Sequence, residues 1–472
     1  MIADWCDVGW SQVNINIIPD DVLLEIFAHY VDEAKWIGAW YKLVHVCRRW
    51  RLVVFSSSRR LNLQIICTAR TPVGRSLDIW PPYPIVILGR YLHRALLSDM
   101  DNIISALKHR GRVRHIELRD PGSPLLGIFA AETQEPLPEL TVLELRLGGG
   151  IHAAPVLPDS FSIGPQPRLR KLHLRGIPLP PVLKLLLSAI DLICLDLWDI
   201  PYYEYTSAGE VITFLAAMTR LKSLSLGFRF HHRSSPASRR SPPPMHMAFP
   251  ALTRFKFRGV SEFLEDLVAR IDTPLLDEAE ITFLNQLQYE IPQLSQLVAR
   301  VNKFNVFDQA HVLFQRHYVQ VGLSSQGGTV DHGTIGLRIL CQESDWQLSS
   351  LAQVCHGSLA HYSTIERLDI REHPYWKTHW QDDMDNNQWI GLFRSFTAVK
   401  DLHLPEELFL RVALALQEPF GVEVLPALQN IFFWGPESSD LVRGAAEHFI
   451  AARQFSGHKV TVHDGTGTRL QS

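Results

Sequence analysis

The sequence has little charge imbalance, few cysteines and no long apolar run free of breaks. Its 472 residues carry 46 Lys and Arg against 49 Asp and Glu, a formal net charge of −3, and the pI is about 6.7. Such a balance gives no general pull toward nucleic acid or an anionic membrane surface. The six cysteines, Cys6, Cys47, Cys67, Cys194, Cys341 and Cys355, are scattered and form no C-x-x-C pair. A chain this long needs no disulfide staples, so they are expected as buried thiols in a reducing compartment. The first residues carry Asp4 and Asp7 rather than a basic region followed by an apolar core, so no signal peptide is expected. The most apolar stretch, "PLPPVLKLLLSAIDLICLDLW", is broken by prolines, Lys184 and Asp191 and does not read as a membrane span. Cytoplasm or nucleus is the expected location.

Catalytic patterns are missing as well. "DGTGT" near the C-terminus lacks the lysine and preceding strand of a phosphate-binding loop. There is no H-E-x-x-H, no nucleophile elbow, and nothing pairs the serines of "GLSSQGG" with a base. The segment 371–389, "REHPYWKTHWQDDMDNNQW", holds His373, His379, Asp382, Asp383 and Asp385, but their spacing matches no standard metal site. It reads better as a polar loop that caps the following helix. Trp376 and Trp380 there suit a partner surface as well, since aromatics are enriched in such hot spots. The chain is therefore read as a non-enzyme, with no catalytic residue, metal or cofactor.

What the sequence does contain begins at "IPDDVLLEIFAHYV", Ile18 to Val31. Pro19 suits a first helical position, and Asp20 and Asp21 place negative charge at the positive end of the helix dipole. Val22, Leu23, Ile26, Phe27 and Tyr30 recur at three- and four-residue spacing, so one face is apolar. In "IGAWYKLVHVCRRWRLVVF", Ile37, Trp40, Leu43, Val44 and Cys47 share a stripe. Trp50, Val53 and Val54 continue it after a bend near Cys47. Two or three short helices in under sixty residues enclose too little interior to be very stable unless something covers them.

These residues resemble an F-box. "IPDDVLLEIF" followed about twenty residues later by "LVHVCRRWRLVVF" has the form Leu-Pro, acid, aliphatics, Ile-Phe, then Val-Cys-Arg-x-Trp. The whole chain is similar to the F-box proteins expanded in mushroom-forming fungi, through stretches such as "CTARTPV", "LDIWPPYPIVI", "FKFRGVSEFLEDLVARIDTPLLDEAEITFLNQL", "FTAVKDLHL" and "LPALQNIFF". Departures are Ile18 where Leu is usual and Ser58 where Pro often precedes Arg59-Arg60. The resemblance implies that the module docks a Skp-type adaptor and through it a cullin–RING ubiquitin ligase, with an unknown protein as substrate. Pro19, Asp20, Leu23, Leu24, Phe27, Val46, Cys47 and Trp50 are the expected contacts, a helix-in-groove surface with apolar anchors. For Leu23, Trp50 and Val53 the competing expectation is that they fill the module's own core. No membrane or nucleic-acid partner is expected.

From Arg112 onward a phrase of the form aliphatic-x-x-aliphatic-x-aliphatic returns. It stands at 113 ("VRHIEL"), 140, 169, 192, 221, 252 and 276, then at 301 ("VNKFNV"), 365, 399 and 428. The first seven are 23 to 31 residues apart (169 to 192 and 221 to 252 at the extremes), a spacing that belongs to leucine-rich repeats. Helical stretches lie between them. "SAGEVITFLAAM" opens with a Ser207/Glu210 capping box, and "SEFLEDLVARI" sets Phe263, Leu264, Leu267, Val268 and Ile271 on one face. "DLVRGAAEHFIAARQFSG" places Leu441, Ala445, Phe449 and Ala452 in a row and stops at Gly457. Strand, helix, strand at this spacing demands parallel strands with right-handed crossovers. The Asn or Cys of regular repeats is replaced by Gly148, Ile177, Ile200 and Val260. Between 307 and 364, "HYVQVGLS" and "TIGLRILC" read as a local meander.

The expected fold is α/β: a small all-α F-box (13–65), a packed proline-rich connector (66–111), and an irregular leucine-rich-repeat-like solenoid with parallel strands (112–465), whose concave sheet faces a partner. Residues 229–247, Pro/Ser/Arg-rich, are expected to be a disordered insertion. The function implied is a substrate-recognition adaptor. The alternative is a binding scaffold whose N-terminal helices only cap the solenoid.

Overall fold

The computed structural model of the chain describes residues 17–34, 38–71, 77–90, 97–148, 161–201, 207–229, 246–284, 286, 288–301, 303–304, 307–325, 335–341, 345–358, 360–373, 375, 386–417, 424–434, 440–455, 457–463 and 469–470. Of the insertion expected at 229–247, residues 230–245 lie outside them, as do most of 371–389 and the first residues of the F-box segment, while Arg229 and Met247 stand in strands rather than disorder. The described residues divide between two compact units, one ending at Leu169 and the other beginning at Arg170.

The first unit opens with three helices, α1 (Asp20–Glu33), α2 (Trp40–Val44) and α3 (Arg48–Ser56). The break falls at Cys47, whose Sγ accepts the Trp50 N–H at 3.4 Å and caps α3. Pro19 sits one residue earlier than expected, at the cap rather than inside the first turn. Four parallel strands follow, β1 (Ile65–Thr68), β2 (Ile85–Arg90), β3 (Val113–Arg119) and β4 (Val142–Arg146). They pair in chain order. Helices α4 (Leu97–Leu107) and α5 (Ser123–Glu132) make the connections before and after β3. The parallel sheet thus already runs through residues 66–111.

The second unit holds β5 (Lys171–Arg175), α6 (Leu183–Ser188), β6 (Cys194–Pro201), α7 (Ala208–Leu215), β7 (Ser223–Arg229), β8 (Met247–Ala248), β9 (Arg254–Gly259), α8 (Ser261–Val268) and β10 (Ile271–Asp272). It continues with β11 (Glu278–Phe283), α9 (Pro292–Arg300), β12 (Gln309–Gln315), β13 (Tyr318–Ser324), β14 (Ile335–Leu340), α10 (Asp345–Ser358) and β15 (Arg367–Glu372). It ends with α11 (Asn386–Phe393), β16 (Asp401–Pro405), α12 (Glu406–Gln417), β17 (Asn430–Trp434), α13 (Asp440–Phe455), β18 (Thr461–His463) and β19 (Arg469–Leu470). Strands β5, β6, β7, β9 and β11 are parallel neighbours, as are β12, β15, β16, β17 and β18. Strands β8 and β10 form a separate parallel pair.

Between the two runs lies the meander. Only two residues join β12 to β13, so these strands must be antiparallel, and β13 pairs antiparallel with β14 as well. Strand β14 then returns parallel to β11. The phrase at 301 is the exception among the repeats: its described residues carry no strand, and the next strand starts at Gln309. Val301 and Phe304 are nevertheless buried, so these residues of the phrase serve the core without entering the sheet.

Alternation drives the packing. In β12 Ala310, Val312 and Phe314 are buried while their neighbours are half-exposed. Helix α12 buries Leu408, Phe409, Val412, Ala413 and Leu416 and packs on β16 and β17. Ser207 and Glu210 form the expected capping box on α7. Gly457 follows α13 at φ 85°, the left-handed conformation that glycine adopts without strain. The buried stripe of α13 runs through Val442, Ala446, Phe449 and Ile450, with Ala445 and Ala452 only half-buried.

Where a regular repeat would tie its turns with an Asn ladder, main-chain bonds do the work. The amide before each strand donates to the matching carbonyl of the preceding turn: Thr253 to Lys222 at 2.9 Å, Lys400 to Glu366 at 2.8 Å, Gln429 to Lys400 at 2.9 Å. No helix among the described residues is long and apolar enough to cross a membrane.

Candidate functional site

The N-terminal helices have two faces with different tasks. Their interior is filled by Leu23 and Phe27 of α1, Leu43 and Val44 of α2, and Val53 and Val54 of α3, all buried. Phe27 meets the Trp50 ring at a centroid distance of 4.6 Å. Arg49 ties the start of α1 to α3, with its Nε donating to Asp20 Oδ1 at 2.8 Å and a second nitrogen to the Ile18 carbonyl. A further ion pair joins Arg60 to Glu25.

One face of the module caps the free edge of β1. Trp40, fully buried, stands among Tyr41, Phe55, Trp80 and Tyr83, with ring centroids between 4.2 and 6.3 Å. Its Nε1 donates to the Gln64 carbonyl at 3.1 Å. The Ile66 amide of β1 donates to the Tyr41 hydroxyl at 3.2 Å, which satisfies a backbone group that a strand edge would otherwise leave open. Arg112 braces the proline segment beneath by donating to the Tyr83 carbonyl at 3.1 Å and to that of Pro81 at 3.4 Å. Tyr41→Phe removes the acceptor and is expected to cost about 1–3 kcal/mol for an unpaired buried amide. Hydrogen exchange at Ile66 should then accelerate while the β3 amides keep their protection. An unchanged Ile66 rate would mean that the hydroxyl does not close the edge.

Other apolar side chains of the module stay exposed. Val22 is 44% exposed, Ile26 49%, Val46 58% and Leu52 70%, and Ile17 is exposed beside them in sequence. Val22 and Ile26 lie one helical turn apart on α1. The eight expected contact residues therefore divide. Pro19, Asp20 and Val46 are exposed, and Leu24, Cys47 and Trp50 are half-buried. Leu23 and Phe27 are interior and offer no area to a partner, because the module spends them on its own core. Val22, Ile26 and Leu52 take their place on the surface. One signal was available in the sequence. The apolar positions 22, 23, 26, 27 and 30 span a wider arc than one packed face needs.

Of the described thiols Cys67, Cys341 and Cys355 are buried, whereas Cys47 and Cys194 are only half-buried. Burial pushes the Cys67 thiol up to about 12 and the Cys341 thiol to about 11, and it also raises Cys355. Raised values keep these thiols protonated at pH 8, where only the thiolate is reactive. Iodoacetamide at pH 8 is expected to modify half-buried Cys47 in the folded chain and to reach Cys67, Cys341 and Cys355 only on unfolding. Mass spectrometry of the native protein tests this, and equal labelling of Cys67 and Cys47 would contradict it. Among the described residues no three His, Cys, Asp or Glu side chains come together as metal ligands do.

Fold and site together define an α/β chain of alternating strands and helices with mostly parallel strand pairing and an N-terminal helical module. Among solved structures it is similar to the leucine-rich repeat-containing protein LegL7 from Legionella pneumophila, at 10% identity, covering 87% of this chain and 93% of that one with a TM-score of 0.27. No family profile and no curated protein matches the chain.

Proposed function

We propose that the chain is a non-catalytic substrate adaptor of a Skp–cullin–F-box type ubiquitin ligase, acting in cytoplasm or nucleus. The N-terminal helices dock the Skp-type adaptor, the strand–helix repeats hold the target protein, and catalysis belongs to other subunits of the ligase. One observation carries the reading: a helical module whose interior is already filled keeps Val22, Ile26, Val46 and Leu52 in solvent. Burying such side chains is worth about 1.5–3 kcal/mol each, and an exposed group of them marks a binding surface. The resemblance of "IPDDVLLEIF" and "LVHVCRRW" to the F-box names the partner.

A second reading is favoured by the Tyr41–Ile66 bond and the aromatic cluster around Trp40. In it the helices only close the edge of a binding scaffold. The two readings part in one experiment. A Skp-type adaptor mixed with the purified full chain is expected to co-elute with it in size exclusion. Failure of a folded chain to retain the adaptor would leave only the capping role.

A further inference from the structure

We infer that the exposed side of the second unit's sheet binds an extended acidic segment of the target, along a row of four arginines that crosses the strands. The inference rests on the reading that the repeats hold the target, and it deepens that reading by naming the chemistry of what is held.

The row follows from register. Arg175 of β5 is paired with Trp198 of β6. Beyond the irregularity after Leu197, Gly227 of β7 is paired with Arg258 of β9. Arg258 is paired with Thr282, Thr282 with Arg338, Arg338 with Gln320, Gln320 with Leu313, and Leu313 with Arg371 of β15. Strand residues alternate between faces, and the alternate set here, Leu174, Phe257 and Leu337 among them, is buried. The four arginines therefore share the opposite face, with side chains 33% to 56% exposed.

The row carries four arginines against one acid at its own level, and each arginine has an acid within 4.0 Å. Among the described residues Asp199, at the irregular point of β6 with φ 51°, is the acid of the row. It holds Arg175 at 2.7 Å and lies 3.7 Å from Arg258. Asp369, one row lower, grips Arg371 through two nitrogens at 3.0 and 2.6 Å. The Gln320 amide oxygen does the same for Arg338 at 3.2 and 2.8 Å. A guanidinium carries five N–H groups, so each of these arginines is fixed through some and keeps others for a carboxylate. In the next row down Lys256 meets Glu280 at 2.6 Å, and the same carboxylate lies 4.0 Å from Arg338.

Aromatic rings and bare backbone complete the track. Arg338 lies 4.8 Å over the Tyr318 ring and Arg371 5.9 Å from the Trp434 ring. A Cβ at Gly227 would fall 2.1 Å from the Trp198 ring, so that ring rests directly on the strand. Beside Arg338, Gly322 and Gly336 are cross-strand partners in an unbroken register, and a Cβ on either would meet nothing nearer than 3.8 Å. Glycine weakens a strand and without a bulge marks the close approach of another backbone. Strands stand about 4.8 Å apart, so Arg258 and Arg338, two strands apart, are separated by about 10 Å. Three residues of an extended peptide span the same length.

The test is fluorescence anisotropy on the full chain at low salt, with labelled decaglutamate, decalysine and an oligouridylate of ten nucleotides. Decaglutamate is expected to bind tightest. Arg258→Gln with Arg338→Gln is expected to weaken it about tenfold, and Arg220→Gln, away from the row, less than about twofold. Circular dichroism checks folding, and Arg175→Gln with Arg371→Gln serves as a second pair if the first unfolds. Decaglutamate no tighter than decalysine, or indifferent to both folded pairs, would overturn the inference. Tighter binding of the oligouridylate would overturn it in favour of nucleic acid. Retention of a Skp-type adaptor is measured on the same protein. Peptide binding without adaptor binding sinks the ligase reading alone, and the reverse sinks the arginine row alone.

Discussion

Trp40→Ala is expected to destabilise the first unit by about 3–5 kcal/mol, the range for emptying a large aromatic site in a packed core. Trp40 is fully buried, and four other rings pack around it. Its removal also leaves the Gln64 carbonyl without its donor at 3.1 Å. Neither side of the contact can close the gap cheaply, since α2 is only five residues long and Pro81 and Pro84 stiffen the segment that carries Trp80 and Tyr83. Urea unfolding of the full chain, followed by limited proteolysis of the helices, measures the effect. Trp40→Phe should recover part of it. A loss under about 1 kcal/mol would mean that the helices hold to β1 by other means.

The second large effect concerns binding. Val22→Asp with Val46→Asp is expected to lower affinity for a Skp-type adaptor at least about 100-fold, the consequence of putting two charges into the centre of an apolar contact. Both positions are exposed, so the melting temperature should move little. The same pair changes nothing if the helices serve only as a cap, which makes the titration a direct comparison of the two readings. Leu23→Ala is the instructive control. It should weaken adaptor binding only as far as it unfolds the module, because Leu23 is interior.

Much of this architecture was legible in the residues. The phrases "LRKLHL", "LKSLSL", "LTRFKF" and "VKDLHL" each end in a strand, because alternation with one buried face is what a half-covered parallel strand needs. The capping box at Ser207 and the helix stop at Gly457 stand where local chemistry puts them. The strands of 66–111 were hidden for a physical reason. Ile65, Ile66 and Cys67, like Ile85, Val86 and Ile87, are all buried. Adjacent residues point to opposite faces, so both faces are covered there and no alternation survives in the sequence. "VNKFNV" misled in the opposite direction, since its apolar spacing serves core packing outside the sheet.

The site was half legible. An apolar arc on α1 could be read, but which part of it faces inward depends on where α3 and Trp50 lie, and that is tertiary information. Pro19, Asp20 and Val46 stay on the surface, while Phe27 is drawn inward by the Trp50 ring. The arginine row was partly legible: Arg175, Arg258 and Arg371 each stand directly after a repeat phrase, while Arg338 follows none. The shared repeat position does not say which strands lie side by side, and that Arg338 joins the row follows from the meander's pairing.

The most direct measurement is hydrogen–deuterium exchange of the full chain with and without a saturating Skp-type adaptor. A module that caps β1 with one face and docks with the other predicts new protection in Asp20–Glu33 and Arg48–Ser56, with 77–90 unchanged. Protection confined to 77–90, or none in the helices of a chain that retains the adaptor, would contradict the account.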